Sequence, residues 1–399
     1  MRIAGIIAEY DPFHKGHAAH IAATRAENGG QATHVVAVMS GNFTQRGEPA
    51  LISKFHRAQM ALANGADLVV ELPIPWAMAP AEYFAAGGVA VLKALGCVDR
   101  LSFGSECGNV ATLQQLATLS VRSDYQETLR NILSTGVPYA VAGQAAATHL
   151  LGETAAAPLS SPNNTLGIEY IRAATAQQAN FDFYTLQRQG ALHNENAPNH
   201  GFASASLLRR YIRDGEIQNA TNYMPSQAVS MLQKAQADGK IAVHTDRLES
   251  ALLGQLRRMD ERDFLQLPWI SEGIENRLYR ATRSAANYDE LLTAAKTRRY
   301  PMARLRRVLW SALIGMTAAD CIGLPPYIRV LGMNQQGREI LNAASPTLPI
   351  LTRTSQLKEL DSRCQRIFDL ECAATDLHAL SMTVPDPCGT DHTHKIIVG

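Results

Sequence analysis

The chain has 399 residues, a formal net charge of +1, 46% hydrophobic residues and 18% charged residues, which suits two or three globular domains. It contains no run of 18 uncharged apolar residues, and its start lacks the basic-then-apolar layout of a secretion signal, so we expect no transmembrane helix and no export. Six scattered cysteines without a Cys-x-x-Cys pair indicate reduced thiols in the cytoplasm rather than disulfides or a zinc site.

The first predicted element is a buried parallel strand over residues 3–8. The run is short, uncharged and rich in β-branched residues, and it ends at a proline-containing turn. The histidines of His14-Lys-Gly16-His17 then lie at the beginning of a helix that runs to about residue 26. Free backbone N–H groups and two imidazoles at a helix N-terminus form an anion-binding site, and Gly16 lets a nucleotide approach the backbone. This pattern predicts nucleotide binding with transfer at the α-phosphate.

Two other interpretations of this histidine pair remain open. Histidines three residues apart on a helix are common as surface groups or as satisfied core groups. They could also be a metal pair, although no third or fourth ligand follows at a suitable spacing. The position directly after the first strand favours the nucleotide-binding interpretation, because open α/β sheets bind ligands at the carboxyl ends of their strands.

The rest of the first half alternates strands and helices. Further strands are predicted at 34–39, 67–72, 100–103 and 181–186, and helices at 54–64, 80–95, 111–135 and 164–178. Such alternation predicts an α/β fold with a doubly wound parallel sheet. From about residue 217 the pattern changes to helices at 224–236, 246–259, 273–285, 287–296 and 301–315, with a further strand within 325–331. We therefore expect a nucleotide-binding domain over 1–216, followed by a mainly helical region with a mixed carboxyl-terminal segment over 217–399.

Polar loops follow three of the predicted strands. Arg46, after the second strand, and Lys54 could hold phosphates or a carboxylate, although a solvated loop with a helix cap is the alternative. Gly104, after the fourth strand, would let a base or a ribose lie on the backbone, and an ordinary turn glycine fits equally well. Arg188, after the fifth strand, is either a nucleotide contact or a surface charge.

Two predicted helix starts carry further polar groups. Asn163 and Asn164 either cap their helix or hydrogen-bond a ribose or a base. Ser204 and Ser206, with Arg209 one turn into the next helix, form a second cradle for a polyphosphate. A plain capped helix would need the serine but not the arginine, so we favour the cradle.

Residues 277–307 form a basic stretch with nine cationic side chains and only two acidic ones. The cations are Arg277, Arg280, Arg283, Lys296, Arg298, Arg299, Arg304, Arg306 and Arg307. The first three share one helix face, and two tyrosines are interleaved as stacking surfaces. This composition favours a nucleic-acid-binding surface over an ordinary solvated helix face.

The carboxyl-terminal stretch gives the weakest signal. His392 and His394, with cysteines at 364, 372 and 388, match no familiar metal-site spacing. We expect a flexible tail there.

Taken together, these motifs resemble those of the tRNA(Met) cytidine acetate ligase family, a branch of the His-x-Gly-His nucleotidyltransferase superfamily. The matching segments, in family order over residues 1 to about 310, are Glu9-Tyr-Asp-Pro-Phe-His-Lys-Gly-His17, Met39-Ser-Gly-Asn-Phe-Thr-Gln-Arg-Gly-Glu-Pro-Ala50, Asp67-Leu-Val-Val-Glu-Leu-Pro73, Phe103-Gly-Ser-Glu106, Ser161-Pro-Asn-Asn164, Ala203-Ser-Ala-Ser206 with Arg209, and Glu272-Gly-Ile-Glu-Asn-Arg277. The fold that the resemblance implies is a Rossmann-like nucleotidyltransferase domain.

The resemblance also implies an activity and its residues. Members of this family use ATP and acetate to make acetyl-adenylate, and then acetylate N4 of the wobble cytidine in elongator tRNA(Met), forming N4-acetylcytidine. The ATP contacts that carry over are Ile7, Ala8, Glu9, Tyr10, Asp11, Pro12, Phe13, His14, Lys15, Gly16, His17, Ala18, Ala19, His20, Gly104, Asn163 or Asn164, and Arg188. Asp11 and Lys15 stand where Asn is common in the family, and Ser206 stands where Thr is common. An acidic residue beside a polyphosphate is unfavourable unless it helps to hold Mg²⁺.

We assign the catalytic roles to His14, His17 and Arg209, with Ser204 and Ser206 completing the ATP-binding set. The acetate carboxylate attacks the α-phosphorus in line while the imidazoles donate to the phosphates, and Lys15, Arg209 and Mg²⁺ neutralise the pyrophosphate. Three alternatives remain: a small-molecule adenylyltransferase of the same superfamily, a relative of class I aminoacyl-tRNA synthetases, and an RNA-binding protein with a decayed nucleotide site.

Overall fold

A computed structural model of the chain describes residues 1–137, 139–188, 201–271 and 273–399, with the side chains of residues 139 and 140 left aside. Its eight strands are β1 (Ile3–Ala8), β2 (His34–Ser40), β3 (Leu68–Leu72), β4 (Arg100–Ser105), β5 (Asp182–Gln187), β6 (Ile328–Met333), β7 (Ile350–Leu351) and β8 (Ile397–Val398). They form a single sheet in the order β5-β4-β1-β2-β3-β6-β7, with β8 paired to β6.

The helices account for most of the remaining described residues. They are α1 (Lys15–Arg25), α2 (Lys54–Ala63), α3 (Ile74–Ala77), α4 (Ala81–Ala94), α5 (Val110–Leu119), α6 (Ser123–Leu133), α7 (Tyr139–Leu151), α8 (Glu153–Ala156), α9 (Pro162–Ala176), α10 (Ala205–Arg213), α11 (Ile217–Thr221), α12 (Ser226–Ala237), α13 (Thr245–Arg258), α14 (Glu261–Leu265), α15 (Ile274–Ser284), α16 (Tyr288–Ala295), α17 (Met302–Ile314), α18 (Gln335–Ala343), α19 (Ser362–Ala379) and α20 (Thr390–Thr393).

The first five strands are mutually parallel, and β1 to β4 are mostly buried on both faces, whereas β5 at the edge of the sheet is largely half-buried or exposed. Along β1, Ile3 and Ile7 pack into the core on the side of α4, whereas Ile6 packs into the opposite core with Ile21 of α1. The alternation arises because successive side chains point to opposite faces of a strand. Gly88 allows α4 to approach β1, since a Cβ there would lie 2.6 Å from Ile7 Cδ1. The predicted α/β fold with a doubly wound parallel sheet is confirmed.

Three local predictions need correction. The helix expected over 111–135 is two helices, because Ser120 ends α5 and the Ser-Asp pair at 123–124 favours a new helix start. The alanine-rich stretch near residue 140, for which no helix was expected, forms α7. The strand within 325–331 begins at Ile328 and runs antiparallel to β3, so the sheet is mixed at that edge.

The carboxyl-terminal stretch is part of the fold. Strand β8 pairs with β6, and Asp391 of α20 is fully buried against the basic side chains of Lys54 and Arg329. The expectation of a flexible tail is therefore wrong. The ion pairs that hold this stretch join residues far apart in sequence, so no local sequence pattern indicates them. The boundary at residue 216 stays a prediction, although β6, β7 and β8 join the sheet that the first half builds. Across the described ranges, every helix is too short or too polar to span a bilayer.

Candidate nucleotide-binding site

A crevice opens at the carboxyl ends of β1, β2, β4 and β5, where a ligand site is expected in such a sheet. One cavity within it has a volume of about 200 Å³. The predicted site residues that line it are Ile7, Ala8, Glu9, Tyr10, Asp11, His14, His17, His20, Gly104, Asn163, Arg188, Ser204, Ser206 and Arg209. A second cavity of about 220 Å³ shares the three histidines and adds Gly16 and Ala19. Most of the predicted set therefore converges on one place.

The two imidazoles of the His-x-Gly-His motif are stacked at the N-terminus of α1. His14 is the cap residue: its Nδ1 accepts from the Gly16 N–H at 3.1 Å, and His17 Nδ1 accepts from the His14 N–H at 3.2 Å. The ring centroids are 3.6 Å apart. Because each Nδ1 is an acceptor, each neutral ring carries its proton on Nε2. Gly16 is required here, since a Cβ would lie 2.9 Å from His14 Cε1.

Both imidazoles are held in the neutral form. Burial lowers the pKa of His14 to about 3, helped by the positive charges of Arg188 and Arg209. Burial also lowers the pKa of His17 well below its usual value, with the His14 ring and Arg188 adding to the effect. The pair therefore offers two neutral Nε2–H donors at a helix N-terminus near neutral pH, which suits the oxygens of a phosphate chain.

Arg209 is fixed over the same end of the sheet. Its Nη1 donates to the Asp11 carbonyl oxygen at 2.6 Å, and its Nη2 donates to Ser206 Oγ at 3.3 Å. The Asp11 carboxylate lies 3.6 Å from the same guanidinium and accepts from the Leu51 N–H at 2.7 Å. Ser204 caps α10 by accepting from the Leu207 N–H. The Asp11 carbonyl oxygen and Ser206 thus orient Arg209, and the Asp11 carboxylate lies close enough to offset part of its charge.

The two asparagines at the start of α9 have different surroundings. Asn163 receives an Arg188 Nη1–H bond at 3.3 Å and lines the crevice. Asn164 is buried, and its Oδ1 accepts from the backbone N–H groups of Glu106 and Cys107. The Glu106 carboxylate in turn accepts from the side chain of Asn163 at 2.7 Å. Asn163 therefore faces the ligand space, whereas Asn164 holds the turn after β4.

Lys15 and Lys54 lie apart from the crevice lining. Lys15 Nζ donates to the Asn222 carbonyl oxygen at 2.8 Å. Lys54 is fully buried, with Nζ 2.7 Å from Glu71 and 2.8 Å from Asp391, so the hypothesis that it holds a substrate is wrong. Three further members of the predicted set, Pro12, Phe13 and Ala18, are also outside the lining of both cavities.

Nothing in the sequence indicated the role of Arg57, which holds together the backbone segments beneath the crevice. This fully buried guanidinium donates to the carbonyl oxygens of Glu9 at 2.6 Å, Ser40 at 3.1 Å, Ile52 at 2.9 Å and Gly41. It thereby ties the end of β1 to the end of β2. Arg57 lies in the ordinary helical pattern of α2, so its sequence surroundings gave no signal for this role.

The basic stretch divides into structural arginines and free cations. Arg277 donates to the Ala294 and Ala295 carbonyl oxygens, both at 2.7 Å, at the end of α16, and Arg283 donates to those of Arg257 and Met259 at the end of α13. Cations suit helix C-termini. Arg306 forms an ion pair with Glu48, and Arg307 donates to the Gln45 carbonyl oxygen. Both arginines therefore contact the loop that follows β2 at the crevice.

Four cations remain for another partner: Arg280, Lys296, Arg298 and Arg299. Their side chains make no hydrogen bond or ion pair with the part of the chain that the structure describes. Three of them, all but Lys296, line a cleft of about 850 Å³ together with Tyr300. Glu272, the first residue of the last matching segment, lies outside the described residues.

Metal ligands are sparse around the crevice. Within the described ranges, no group of three or more His, Cys, Asp and Glu side chains is arranged to hold a metal ion. Glu9 and Asp11 are the acidic side chains that line the crevice, and each accepts a backbone hydrogen bond. A protein-only metal cage is therefore absent from this part of the chain.

Comparison with known proteins gives a consistent result. The family model described as HIGH Nucleotidyl Transferase matches residues 1–391. The tRNA(Met) cytidine acetate ligase of Acetivibrio thermocellus is 35% identical over the full length of both chains, and that of Syntrophotalea carbinolica is 40% identical over 90% of this chain and 86% of its own. Two crystal structures of Thermotoga maritima TmcAL, one apo and one bound with alpha-thio ATP, superpose with TM-scores of 0.94 and 0.92 at 30% identity, covering 100% of this chain and 99% of theirs.

Proposed function

Because the chain belongs to the tRNA(Met) cytidine acetate ligase family of HIGH nucleotidyltransferases, we propose that it activates acetate with ATP and acetylates N4 of the wobble cytidine of elongator tRNA(Met). The observation that carries this proposal is the stacked pair of neutral imidazoles, with both Nδ1 atoms occupied, at the N-terminus of α1. Such a pair offers hydrogen bonds to phosphate oxygens without requiring a proton from solution.

The first step needs charge stabilisation rather than acid–base chemistry. A carboxylate oxygen of acetate bonds to the α-phosphorus, the bond from that phosphorus to the bridging oxygen breaks, and pyrophosphate leaves with the electron pair. His14 and His17 donate through Nε2–H to phosphate oxygens, and Arg209 with the N–H groups of α10 receives the pyrophosphate. In the second step the cytidine amine attacks the acetyl carbonyl, AMP departs, and the amine loses a proton.

The proposal includes Mg²⁺ as a companion of the nucleotide. Magnesium usually keeps several waters and is bound through phosphates with one or two carboxylates, which fits a crevice with few acidic groups. Glu9 or Asp11 would be its protein ligand, and it would neutralise the triphosphate. The six cysteines are free thiols, which supports a cytoplasmic setting for the reaction.

The proposal is tested by ATP–pyrophosphate exchange without tRNA. We expect the purified protein to exchange labelled pyrophosphate into ATP only when acetate is present, because adenylation is reversible and needs no RNA. Exchange that does not depend on acetate, or that requires a phosphorylated metabolite instead, would contradict our proposal. It would support the alternative function, that of a small-molecule adenylyltransferase.

We propose that the cleft lined by Arg280, Arg298, Arg299 and Tyr300 binds the tRNA backbone. Replacing the three arginines by alanine should weaken tRNA binding and lower the salt-dependence slope by up to about 3, one for each lost phosphate contact. Acetate-dependent exchange should stay at the wild-type rate. Arg306 is excluded from this test because it pairs with Glu48 beside the crevice.

A matched control replaces the exposed residues Lys234, Arg338 and Lys358 by alanine, which removes the same charge elsewhere on the surface. Filter binding of tRNA at several salt concentrations measures both variants. If tRNA binding weakened equally in both variants, the effect would be one of overall charge and would contradict the proposal. If the arginine variant also lost acetate-dependent exchange, the cleft would belong to the adenylation site instead.

A further inference from the structure

The strand order arranges the crevice linearly from one side to the other. Along β5, β4, β1 and β2, the carboxyl ends present in turn Arg188, Gly104, the segment beginning at Glu9, and the loop that carries Arg46. The imidazole pair and Arg209 are attached over the end of β1. With the nucleoside at Gly104 and Arg188, where the sequence predicts nucleotide contacts, the phosphates lie centrally and the β2 end is left for the second substrate.

The loop after β2 is held in place on both sides of Arg46. The preceding residue, Gln45, donates its backbone N–H to Glu9 Oε1 at 2.7 Å and accepts at its carbonyl oxygen from Arg307 Nη1 at 2.9 Å. The turn closes by a hydrogen bond from the Thr44 N–H to the Glu48 carbonyl oxygen at 3.0 Å. The backbone that carries the Arg46 side chain is therefore anchored to the sheet and to α17.

Two guanidinium groups face the cavity on the side of this loop. Arg46 and Arg209 both line the cavity, and both are at least partly buried. Burial first, and then the positive charge of Arg209, lower the pKa of the Arg46 guanidinium, while Glu9 and Glu48 act in the opposite direction. Two guanidinium groups facing one enclosed space are stabilised when an anion lies between them.

We propose that Arg46 binds the carboxylate substrate, a short-chain carboxylate such as acetate, at the β2 end of the crevice. The planar guanidinium forms a bidentate pair with the carboxylate and points one of its oxygens towards the α-phosphorus. The bond changes are those of the adenylation step, so no proton transfer is added. This inference rests on the proposed function, since it names the site of the acid that the ligase activates.

The test is steady-state exchange of Arg46→Gln with acetate and ATP varied separately. We expect the KM for acetate to rise at least about 10-fold, because a charge-assisted bidentate contact is lost, and the KM for ATP to change less than about 2-fold. Arg46→Lys keeps the charge but loses the fork, so it should recover part of the acetate affinity. Arg213→Gln, an exposed arginine of α10 outside the crevice lining, controls for the loss of one nearby positive charge.

Calorimetric titration with alpha-thio ATP separates the outcomes. An unchanged acetate KM in Arg46→Gln would overturn the inference, and so would a matching loss of nucleotide affinity, which would assign Arg46 to the phosphates. If Arg46→Gln does not fold, as judged by thermal unfolding, the same comparison is made with Arg46→Lys. Absence of acetate-dependent exchange in the wild-type protein would instead overturn the proposed function itself.

Discussion

Replacing His17 by asparagine should lower the rate of acetate-dependent exchange by about 10²–10³-fold, the usual effect of removing one preorganised donor from a developing charge. The asparagine Oδ1 can take the place of Nδ1 as acceptor for the His14 N–H, so the cap of α1 is retained. Its amide does not extend to the position of the His17 Nε2–H. The expected result is therefore a folded protein that binds nucleotide and adenylates very slowly.

Exchange rates and thermal unfolding, measured on the same preparation, check this result. His149→Asn provides the matched control, because this substitution makes the same chemical change at an exposed position of α7 away from the crevice. A His17→Asn protein that kept half or more of the wild-type exchange rate would contradict the donor role. A protein that lost its fold along with its activity would mean that the imidazole mainly serves as a cap.

Replacing Lys54 by methionine should lower the free energy of unfolding by about 3–5 kcal/mol, because it leaves buried carboxylates without their cation. Lys54 Nζ lies 2.7 Å from Glu71, 2.8 Å from Asp391 and 3.6 Å from Glu371. Burial alone would lower the Lys54 pKa, but Asp391 and Glu71 hold it above its usual value. Urea unfolding followed by circular dichroism measures the change.

Replacing the neighbouring Glu371 should lower the free energy of unfolding much less than replacing Lys54. Burial, and then the charge of Glu71, raise the pKa of Glu371 well above its usual range, which favours the neutral form of this carboxyl. Lys54 and Arg329 then balance Glu71 and Asp391. Glu371→Gln places a neutral amide where the neutral carboxyl is favoured, so we expect it to lower the free energy of unfolding by less than about 1.5 kcal/mol. A loss as large as that of Lys54→Met would contradict this preference for the neutral form.

Much of the parallel sheet could be predicted because its signals are local. The strand over residues 3–8 is a continuous apolar run, and its limits in the structure are Ile3 and Ala8. Many residues of the crevice were found for a related reason, since they follow a predicted strand or stand near a predicted helix start, whereas Ile7, Ala8 and His20 were named only through the family resemblance. Gly104, Arg188 and Arg209 therefore converge on the cavity although they are far apart in sequence.

The remaining features could not be predicted because their causes are contacts between distant segments. Lys54 and Arg57 lie in the first turn of a predicted helix, and nothing in that local pattern indicates their contacts. Arg57 holds the end of β1 through the Glu9 carbonyl oxygen, and Lys54 neutralises buried carboxylates. Asp391 became part of the core only through its pairing with Lys54 and Arg329. Likewise, a count of basic residues could not separate Arg277, whose guanidinium is bonded to carbonyl oxygens at the end of α16, from Arg280, which lines the same cleft without such bonds to the described residues.

In the proposed mechanism, the stacked imidazoles stabilise the phosphates while a carboxylic acid is adenylated. The most direct measurement is ATP–pyrophosphate exchange without tRNA, run side by side on the wild-type protein and His17→Asn over a range of acetate concentrations. We expect exchange that saturates with acetate in the wild type and falls to about one per cent or less of that rate in the variant. Wild-type exchange that is independent of acetate, or a variant that exchanges as fast as the wild type, would contradict it.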